Sequence, residues 1–116
     1  MDTSTNIFKP VGVVTAIAFE SDAIISQFDP GTTQEMSDSR LPNGMKLYRG
    51  RIGKREIYLL EAGAGKICAA AGTQVLLLIK NDISAMYNIG IAGSLDHTLQ
   101  IRDIVIANKT VQHDMV

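Results

Sequence analysis

The segment VGVVTAIA, residues 11–18, constrains the fold more than any other stretch of the chain. It is a nearly continuous run of β-branched and small apolar residues, the pattern of a strand buried on both faces in a parallel sheet with helices on each side. The next segment, residues 19–28, places apolar residues at helical spacing: Phe19, Ala23, Ile24 and Phe28. A buried strand followed directly by a short amphipathic helix predicts an α/β fold.

The rest of the chain continues this alternation. Residues 29–44 are rich in Pro, Gly, Ser and Asp, which predicts a loop. Residues 45–63 alternate apolar and polar residues around RIGKR, which predicts a hairpin, and residues 64–81 are rich enough in Ala and Leu for a helix of about four turns. The segments 83–93 and 103–111 each predict a further strand. This order indicates an α/β protein with a mixed sheet.

Length and charge limit both the domain count and the partners. A chain of 116 residues has room for one core, so we predict a polar lead-in at residues 1–10 and a single α/β domain over residues 11–116. Eleven basic and twelve acidic residues leave a net charge of -1, which gives no electrostatic reason to expect nucleic acid or a membrane surface. No apolar run approaches the ~20 residues of a membrane span. We therefore expect a small-molecule partner.

The cysteine and histidine content indicates the compartment and argues against a metal site. A single cysteine, Cys68, cannot form an internal disulfide. The N-terminal MDTSTNIFKP lacks the basic residues and apolar run of a secretory signal, so we expect a cytoplasmic protein. Two histidines and one cysteine in separate segments do not have metal-ligand spacing. We predict no metal and no cofactor.

Three turns that leave strands are candidate sites, because open α/β sheets bind ligands outside the carboxyl ends of their strands. They contain Glu20, EAGAGK (residues 61–66) and NIGIAGS (residues 88–94). Glu20 could act as a general base on water or bind a sugar hydroxyl. It could instead be an acidic residue that stabilises the first turn of a helix, and the residues alone favour this second role. His113 and Asp114 could pair as base and orienter, but polar residues near a chain end are more often solvated.

The glycines of EAGAGK also have two interpretations. Glycine amides at a helix N-terminus favour an anion. A dinucleotide fingerprint, however, would need glycine at Cys68, and a Walker loop would need glycine at Leu60 and a hydroxyl residue at Ile67. The spacing therefore favours a tight strand-to-helix turn, with Lys66 as a surface cation.

Four stretches taken together resemble one family in their order and spacing: VGVVTAIAFESDAI, IYLLEAGAGKICAAAGTQVLL, NIGIAGSLDHTLQIRDIVIA and VQHDM. They look like the nucleoside phosphorylase and nucleosidase superfamily, and most like its 5'-methylthioadenosine/S-adenosylhomocysteine nucleosidases, over about residues 11–115. The resemblance implies a twisted, mostly parallel mixed sheet flanked by helices, like the N-terminal half of that fold. It also implies cleavage of the N-glycosidic bond of a purine nucleoside.

The resemblance assigns roles to five residues. It implies that Glu20 is catalytic and positions the attacking water, which reverses the preference stated above. It implies that Ala64, Ile91, Ala92 and Gly93 line the ribose and the base.

The resemblance also separates hydrolysis from phosphorolysis. The related phosphorylases hold phosphate with an arginine at the position of Asn88 and a hydroxyl residue at Ile91. This chain has neither, so water is the expected acceptor. The nucleosidases also usually carry serine at Ile91, and the isoleucine here removes a polar contact.

Family members continue for about as many residues again beyond the position of Val116, and that part carries the catalytic acid and the ribose-binding segment. We therefore expect a purine nucleoside hydrolase with impaired activity. The alternatives are a nucleoside-binding or self-assembling remnant, a purine nucleoside phosphorylase, and an active short hydrolase that recruits its acid from Asp96, His113 or Asp114. We expect a homo-oligomer to cover the open edge of the sheet.

Overall fold

The computed structural model describes residues 8–115 of the chain. Within that range, seven elements follow one another: β1 (Val11–Thr15), α1 (Ala18–Ile25), β2 (Gln34–Met36), β3 (Lys46–Ile52), β4 (Arg55–Glu61), α2 (Lys66–Ile79) and β5 (Ala85–Asn88). The predicted lead-in at residues 1–10 lies largely outside the described residues, and the single domain over residues 11–116 stays a prediction. None of the described helices is long and apolar enough to cross a bilayer.

The described strands form one open, mixed sheet in the order β2-β3-β4-β1-β5. β1 is parallel to both of its neighbours, β4 and β5, while β3 is antiparallel to β4 and β2 is antiparallel to β3. Val14 of β1 lies opposite Leu60 of β4 and Asn88 of β5. Three strands therefore end at the same edge. The predicted mixed α/β sheet with flanking helices is confirmed, with its strand pairs divided evenly between parallel and antiparallel.

β1 is buried on both faces because a helix covers each side of the sheet. Successive side chains of a strand point to opposite faces. Val13 lies in the core on the α1 side with Phe28, and Val14 lies in the core on the α2 side with Leu76. Val13 is 4% and Val14 is 2% exposed. The prediction of a strand buried on both faces is confirmed.

The boundary between β1 and α1 differs from the predicted one. β1 ends at Thr15 because the next two amides, those of Ala16 and Ile17, donate hydrogen bonds to the carboxylate of Glu20. α1 then ends at Ile25, three residues before its predicted end. The amides of Gln27 and Phe28 then bond to carbonyls three residues back, which is the tightening that commonly closes a helix.

The loop predicted over residues 29–44 contains the short strand β2, which pairs with β3. This strand was not predicted from the sequence. A three-residue edge strand needs only one neighbour and no buried face, so it lacks the apolar alternation from which strands are predicted.

The strand predicted over residues 103–111 is wrong, because no strand follows β5 in the described part of the chain. Ile104 is 90% and Ile106 is 91% exposed. A strand of this composition needs cover on both faces, whereas α1 and α2 pack over β1 and β4. The strand predicted over residues 83–93 forms only between Ala85 and Asn88.

The close approach of α2 to β4 generates a prediction about stability. Gly72 is buried in the middle of α2, and a Cβ atom there would lie 2.6 Å from Cβ of Ala62 and 2.9 Å from Cδ2 of Leu60. Alanine gains about 1 kcal/mol of helix propensity, but overpacking typically costs about 1–3 kcal/mol. We expect Gly72→Ala to lower the free energy of unfolding, measured by urea denaturation. Ala71→Ser adds one atom at the exposed neighbouring position and is the control. A Gly72→Ala variant as stable as the parent would contradict the close packing.

Candidate functional site

A cavity of about 230 Å³ lies at the edge where β1, β4 and β5 end. The structure brings the three candidate turns together here, because each follows one of these strands. The described lining consists of Val14, Thr15, Ala16, Glu20, Gly63, Gly65, Ala69, Asn88, Ile89, Gly90 and Ile91. This is the place at which open α/β sheets bind ligands.

Main-chain hydrogen bonds fix the cavity walls by continuing the parallel pairing beyond the strand ends. The amide of Gly63 donates to the carbonyl oxygen of Ala16 over 3.0 Å, on the β4 side of β1. The amide of Ile89 donates to the carbonyl oxygen of Val14 over 3.1 Å, on the β5 side. The turns are therefore held by the same hydrogen-bonding pattern that orders the sheet.

Glu20 is half-buried at the third position of α1, and both of its carboxylate oxygens accept backbone hydrogen bonds. Oε1 accepts from the amides of Ala16, over 2.9 Å, and Ile17, over 3.2 Å. Oε2 accepts from the amide of Ile91 over 2.8 Å. A carboxylate at this position commonly bonds back to the amide at the helix start. The bond to Ile91 additionally ties the turn after β5 to the start of α1.

The same hydrogen bonds keep Glu20 ionised. Partial burial by itself raises its pKa, but the amides of Ile91, Ala16 and Ile17 outweigh this effect and lower the pKa of Glu20 below its ordinary value of 4.5. Each amide stabilises the charged form of the carboxyl group, and the nearby N-terminus of α1 acts in the same direction. The remaining lone pairs of the carboxylate can accept a hydrogen bond from water.

The EAGAGK segment forms a tight turn between β4 and α2. Gly63 has a φ of 101° and Gly65 a φ of 98°, a region that side-chain-bearing residues rarely adopt. Nζ of Lys66 lies 2.6 Å from Oδ1 of Asp114 and donates to Oε1 of Gln112 over 3.2 Å. Asp114 therefore pairs with Lys66, and the base and orienter pair considered for residues 113 and 114 is not formed.

The residues assigned by resemblance divide into two groups. Glu20 and Ile91 line the cavity, whereas Ala64, Ala92 and Gly93 are exposed and lie outside its described lining. Ile91 contributes its backbone amide, while the residue is 71% exposed. A backbone contact of this kind leaves no signal in a sequence, because every residue except proline has an amide N–H.

A polar network that was not predicted from the sequence lies next to Glu20. Oγ1 of Thr15 lies 2.7 Å from Oγ of Ser21, which donates to Oε1 of Glu61 over 2.8 Å. Thr15 and Ser21 are 2% and 1% exposed. Three single polar residues on three elements show no periodicity, so only the fold reveals that they meet.

A second cavity, of about 250 Å³, lies beside β2 and the loop that precedes β3. It is lined by residues 35–38 and 41–46, at the antiparallel side of the sheet. None of the three candidate turns reaches it. The position at the ends of the parallel strands therefore favours the cavity around Glu20 as the functional one.

Comparison with known proteins identifies the family. The family model described as the phosphorylase superfamily matches residues 10–116. The chain is 33% identical over 105 residues to a 5'-methylthioadenosine/S-adenosylhomocysteine nucleosidase of Glaesserella parasuis, covering 90% of this chain and 43% of the relative. It is 38% identical over 71 residues to a protein of the same name from Staphylococcus haemolyticus, covering 61% of this chain and 31% of the relative.

A solved structure supports the same relationship. It is the S-adenosylhomocysteine nucleosidase of Streptococcus pyogenes in complex with 5-methylthiotubericidin, which matches with a TM-score of 0.63 and 26% identity over 79% of this chain and 36% of that chain. The family resemblance seen in the sequence is confirmed. The chain spans less than half the length of these relatives.

The contact between Gly90 and Glu20 generates a second prediction. A Cβ atom at Gly90 would overlap Oε2 of Glu20 and lie 3.1 Å from its Cδ. Gly90→Ala should therefore displace the carboxylate from the amide of Ile91 and raise the pKa of Glu20. A carbon-13 titration of the Glu20 carboxyl group measures this. Gly93→Ala is the control, because a Cβ atom there meets nothing within 4 Å. An equal titration in both variants would contradict the geometry.

The lowered pKa of Glu20 also predicts how stability depends on pH. A carboxyl group with a depressed folded-state pKa contributes stability that is fully present above its unfolded pKa and is lost as pH falls through the folded value. We expect the difference in unfolding free energy between the parent and Glu20→Gln to be largest near neutral pH and to shrink below about pH 4.5, the ordinary value. Urea denaturation at a series of pH values measures it. A difference independent of pH would refute the ionised, hydrogen-bonded state.

Proposed function

Because the chain belongs to the phosphorylase superfamily, we propose that it acts on the N-glycosidic bond of a purine nucleoside of the methylthioadenosine or adenosylhomocysteine type, with water as the acceptor. The matching relatives are nucleosidases named for these two nucleosides. The observation that carries the proposal is the Glu20 carboxylate, held by three backbone amides in the cavity. Glu20 is the proposed catalytic residue, and Ala64, Ile91, Ala92 and Gly93 are the proposed substrate contacts.

The proposed role of Glu20 is to orient water and to supply negative charge. When the glycosidic bond breaks, its electron pair moves to the base nitrogen and the sugar acquires positive, oxocarbenium character. A nearby carboxylate stabilises that charge. A low pKa makes Glu20 a weak base, so water gives up its proton to Glu20 only as the new bond forms between the water oxygen and the anomeric carbon.

The leaving base must also gain a proton, but no side chain in the described cavity lining is suited to donate one as an acid. Glu20 is the one titratable residue in that lining, and its lowered pKa keeps it ionised. We therefore propose that the 116 residues by themselves release base only slowly. Efficient turnover needs an acid from outside the described lining.

The charge of the cavity favours water over phosphate. The described lining contains no lysine or arginine, and Asn88 and Ile91 are neutral. A phosphate anion would lie beside the ionised Glu20 without a compensating cation, and repulsion between like charges a few ångströms apart is unfavourable. A neutral water molecule needs no compensating cation, so hydrolysis is preferred to phosphorolysis.

A second candidate function is nucleoside binding without turnover. The observation that favours it is the single titratable group in the described lining. Binding and catalysis would use the same cavity and differ only in whether the base leaves. The cytoplasmic location and the homo-oligomer expected from the sequence stay predictions.

Base release from methylthioadenosine and adenosylhomocysteine by the purified chain, with and without phosphate, tests the proposal. We expect slow release that does not depend on phosphate. Glu20→Gln should lower the rate by about 10²- to 10⁴-fold, the usual contribution of a positioned acid or base. Glu35→Gln changes an exposed carboxylate on β2 and should retain the parent rate.

The other outcomes separate the alternatives. Release that requires phosphate would overturn the choice of water as the acceptor. Nucleoside binding measured by calorimetry, with no release from a folded sample, would support the binding function instead. A folded chain that neither binds nor cleaves these nucleosides would refute both functions.

A further inference from the structure

The buried polar network beside the cavity connects the elements that meet there. Thr15 is the last residue of β1, Ser21 lies in the first half of α1, and Glu61 is the last residue of β4. The two hydroxyl groups lie 2.7 Å apart, and Ser21 donates to Glu61 over 2.8 Å. Glu61 is half-buried, while the two hydroxyl residues are almost fully buried.

The proton order in this network is set by its carboxylate end. An ionised carboxylate only accepts hydrogen bonds, and a serine hydroxyl has a single proton to donate. Ser21 gives that proton to Glu61, so its oxygen is free to accept the proton of Thr15. The hydrogen bonds therefore run in one direction, from Thr15 through Ser21 to Glu61. Ser21 also lies 3.3 Å from the carbonyl oxygen of Ile17, a longer and weaker alternative.

The stability gained by burying apolar surface does not depend on these hydroxyl groups. Replacing both partners of a buried hydrogen bond with apolar groups of the same shape is often nearly neutral for stability. A hydrogen bond, unlike an apolar contact, forms only within a narrow range of distances and angles. It therefore fixes the orientation of the two groups that it joins. The network therefore restricts how α1 can rotate or slide against the ends of β1 and β4.

Apart from the hydrogen bonds that Glu20 itself accepts, no side chain caps the start of α1, so the network supplies a second restraint there. α1 has eight residues, and its N-cap residue, Ile17, has no polar side chain to cap the helix. Helices this short are marginal by themselves. Ser21 directly follows Glu20, and adjacent helical residues point about 100° apart. Fixing Ser21 towards the sheet thus fixes the direction in which Glu20 leaves the helix.

We propose that Thr15, Ser21 and Glu61 form a positioning network that holds the start of α1 and so aims the Glu20 carboxylate at the amide of Ile91 and into the cavity. The catalytic consequence rests on the function proposed above, whereas the positioning itself does not. Thr15 and Ser21 are positioning residues, because their hydroxyl groups are almost fully buried and bond to each other and to Glu61.

A pair of substitutions at Thr15 separates positioning from packing. Thr15→Val keeps the shape of the side chain and removes its proton donor, whereas Thr15→Ser keeps the donor and removes a methyl group. We expect Thr15→Val to raise the pKa of Glu20 in a carbon-13 titration of its carboxyl group, because the amide hydrogen bonds to Glu20 lengthen. Thr15→Ser should keep the parent titration. A residue that served only to fill space would give the opposite order.

A second pair of substitutions tests Ser21 on the same helix. We expect Ser21→Ala to raise the pKa of Glu20. Ser26→Ala removes an exposed hydroxyl that bonds to the carbonyl oxygen of Ala23 in α1 and should leave the titration unchanged. If Ser21→Ala and Thr15→Val both lower the melting temperature without moving the Glu20 titration, the network is only structural and the proposal is overturned.

The titration does not depend on turnover, so its failure is distinguishable from failure of the proposed function. If the parent chain releases base, Ser21→Ala should lower kcat by about 10- to 100-fold with KM little changed, the effect of a catalytic group misplaced by up to about 1 Å. If the parent releases none, a shifted titration still supports the positioning network. Turnover that persists in Ser21→Ala at the parent kcat, with an unshifted titration, would refute it.

Discussion

The position of β1 between two parallel neighbours is the constraint on which the rest of the structure depends. Parallel pairing on both of its edges aligns the carboxyl ends of β4, β1 and β5 on one side of the sheet. Helices cover both faces of β1, and the chain leaves the strand at that edge. The turn leads directly into α1, whose third residue is Glu20. The cavity thus follows from the topology of the sheet, and its walls are the segments that connect strands to helices.

At this edge of the sheet, three backbone amides donate hydrogen bonds to one carboxylate. The amides of Ala16, Ile17 and Ile91 lie where strand pairing has ended or helical bonding has not begun, so they depend on side chains or water for hydrogen bonds. Glu20 accepts from all three. The two roles considered for this residue, stabilising a helix start and placing a charge in a site, are therefore compatible. One set of hydrogen bonds satisfies the backbone and keeps an ionised group in the cavity.

Elements with a strong periodic pattern were predictable from the sequence. The strand in the buried run at residues 11–18, the hairpin around RIGKR and the Ala-rich helix all form where they were predicted, although β1 ends at Thr15, because local apolar spacing determines such elements. The short strand β2 was not predictable, since it depends only on its neighbour β3. At residues 103–111 the opposite happened: a strand was predicted, but the structure has none there. The apolar pattern of this segment favours a buried strand, but burial also needs covering elements, and the described helices lie over β1 and β4.

The sequence by itself determined the α/β class and the family resemblance, and it identified Glu20 as a candidate, because these depend on residue identities in a fixed order. Only the tertiary structure decided what surrounds that carboxylate. It brings the amide of Ile91 to Glu20 across 71 positions, and it brings Ser21 to Glu61 across 40. These contacts join separate strands and helices, and a backbone amide or an isolated hydroxyl has no periodic signature. Their partners are set by the pairing of strands that are distant in the chain.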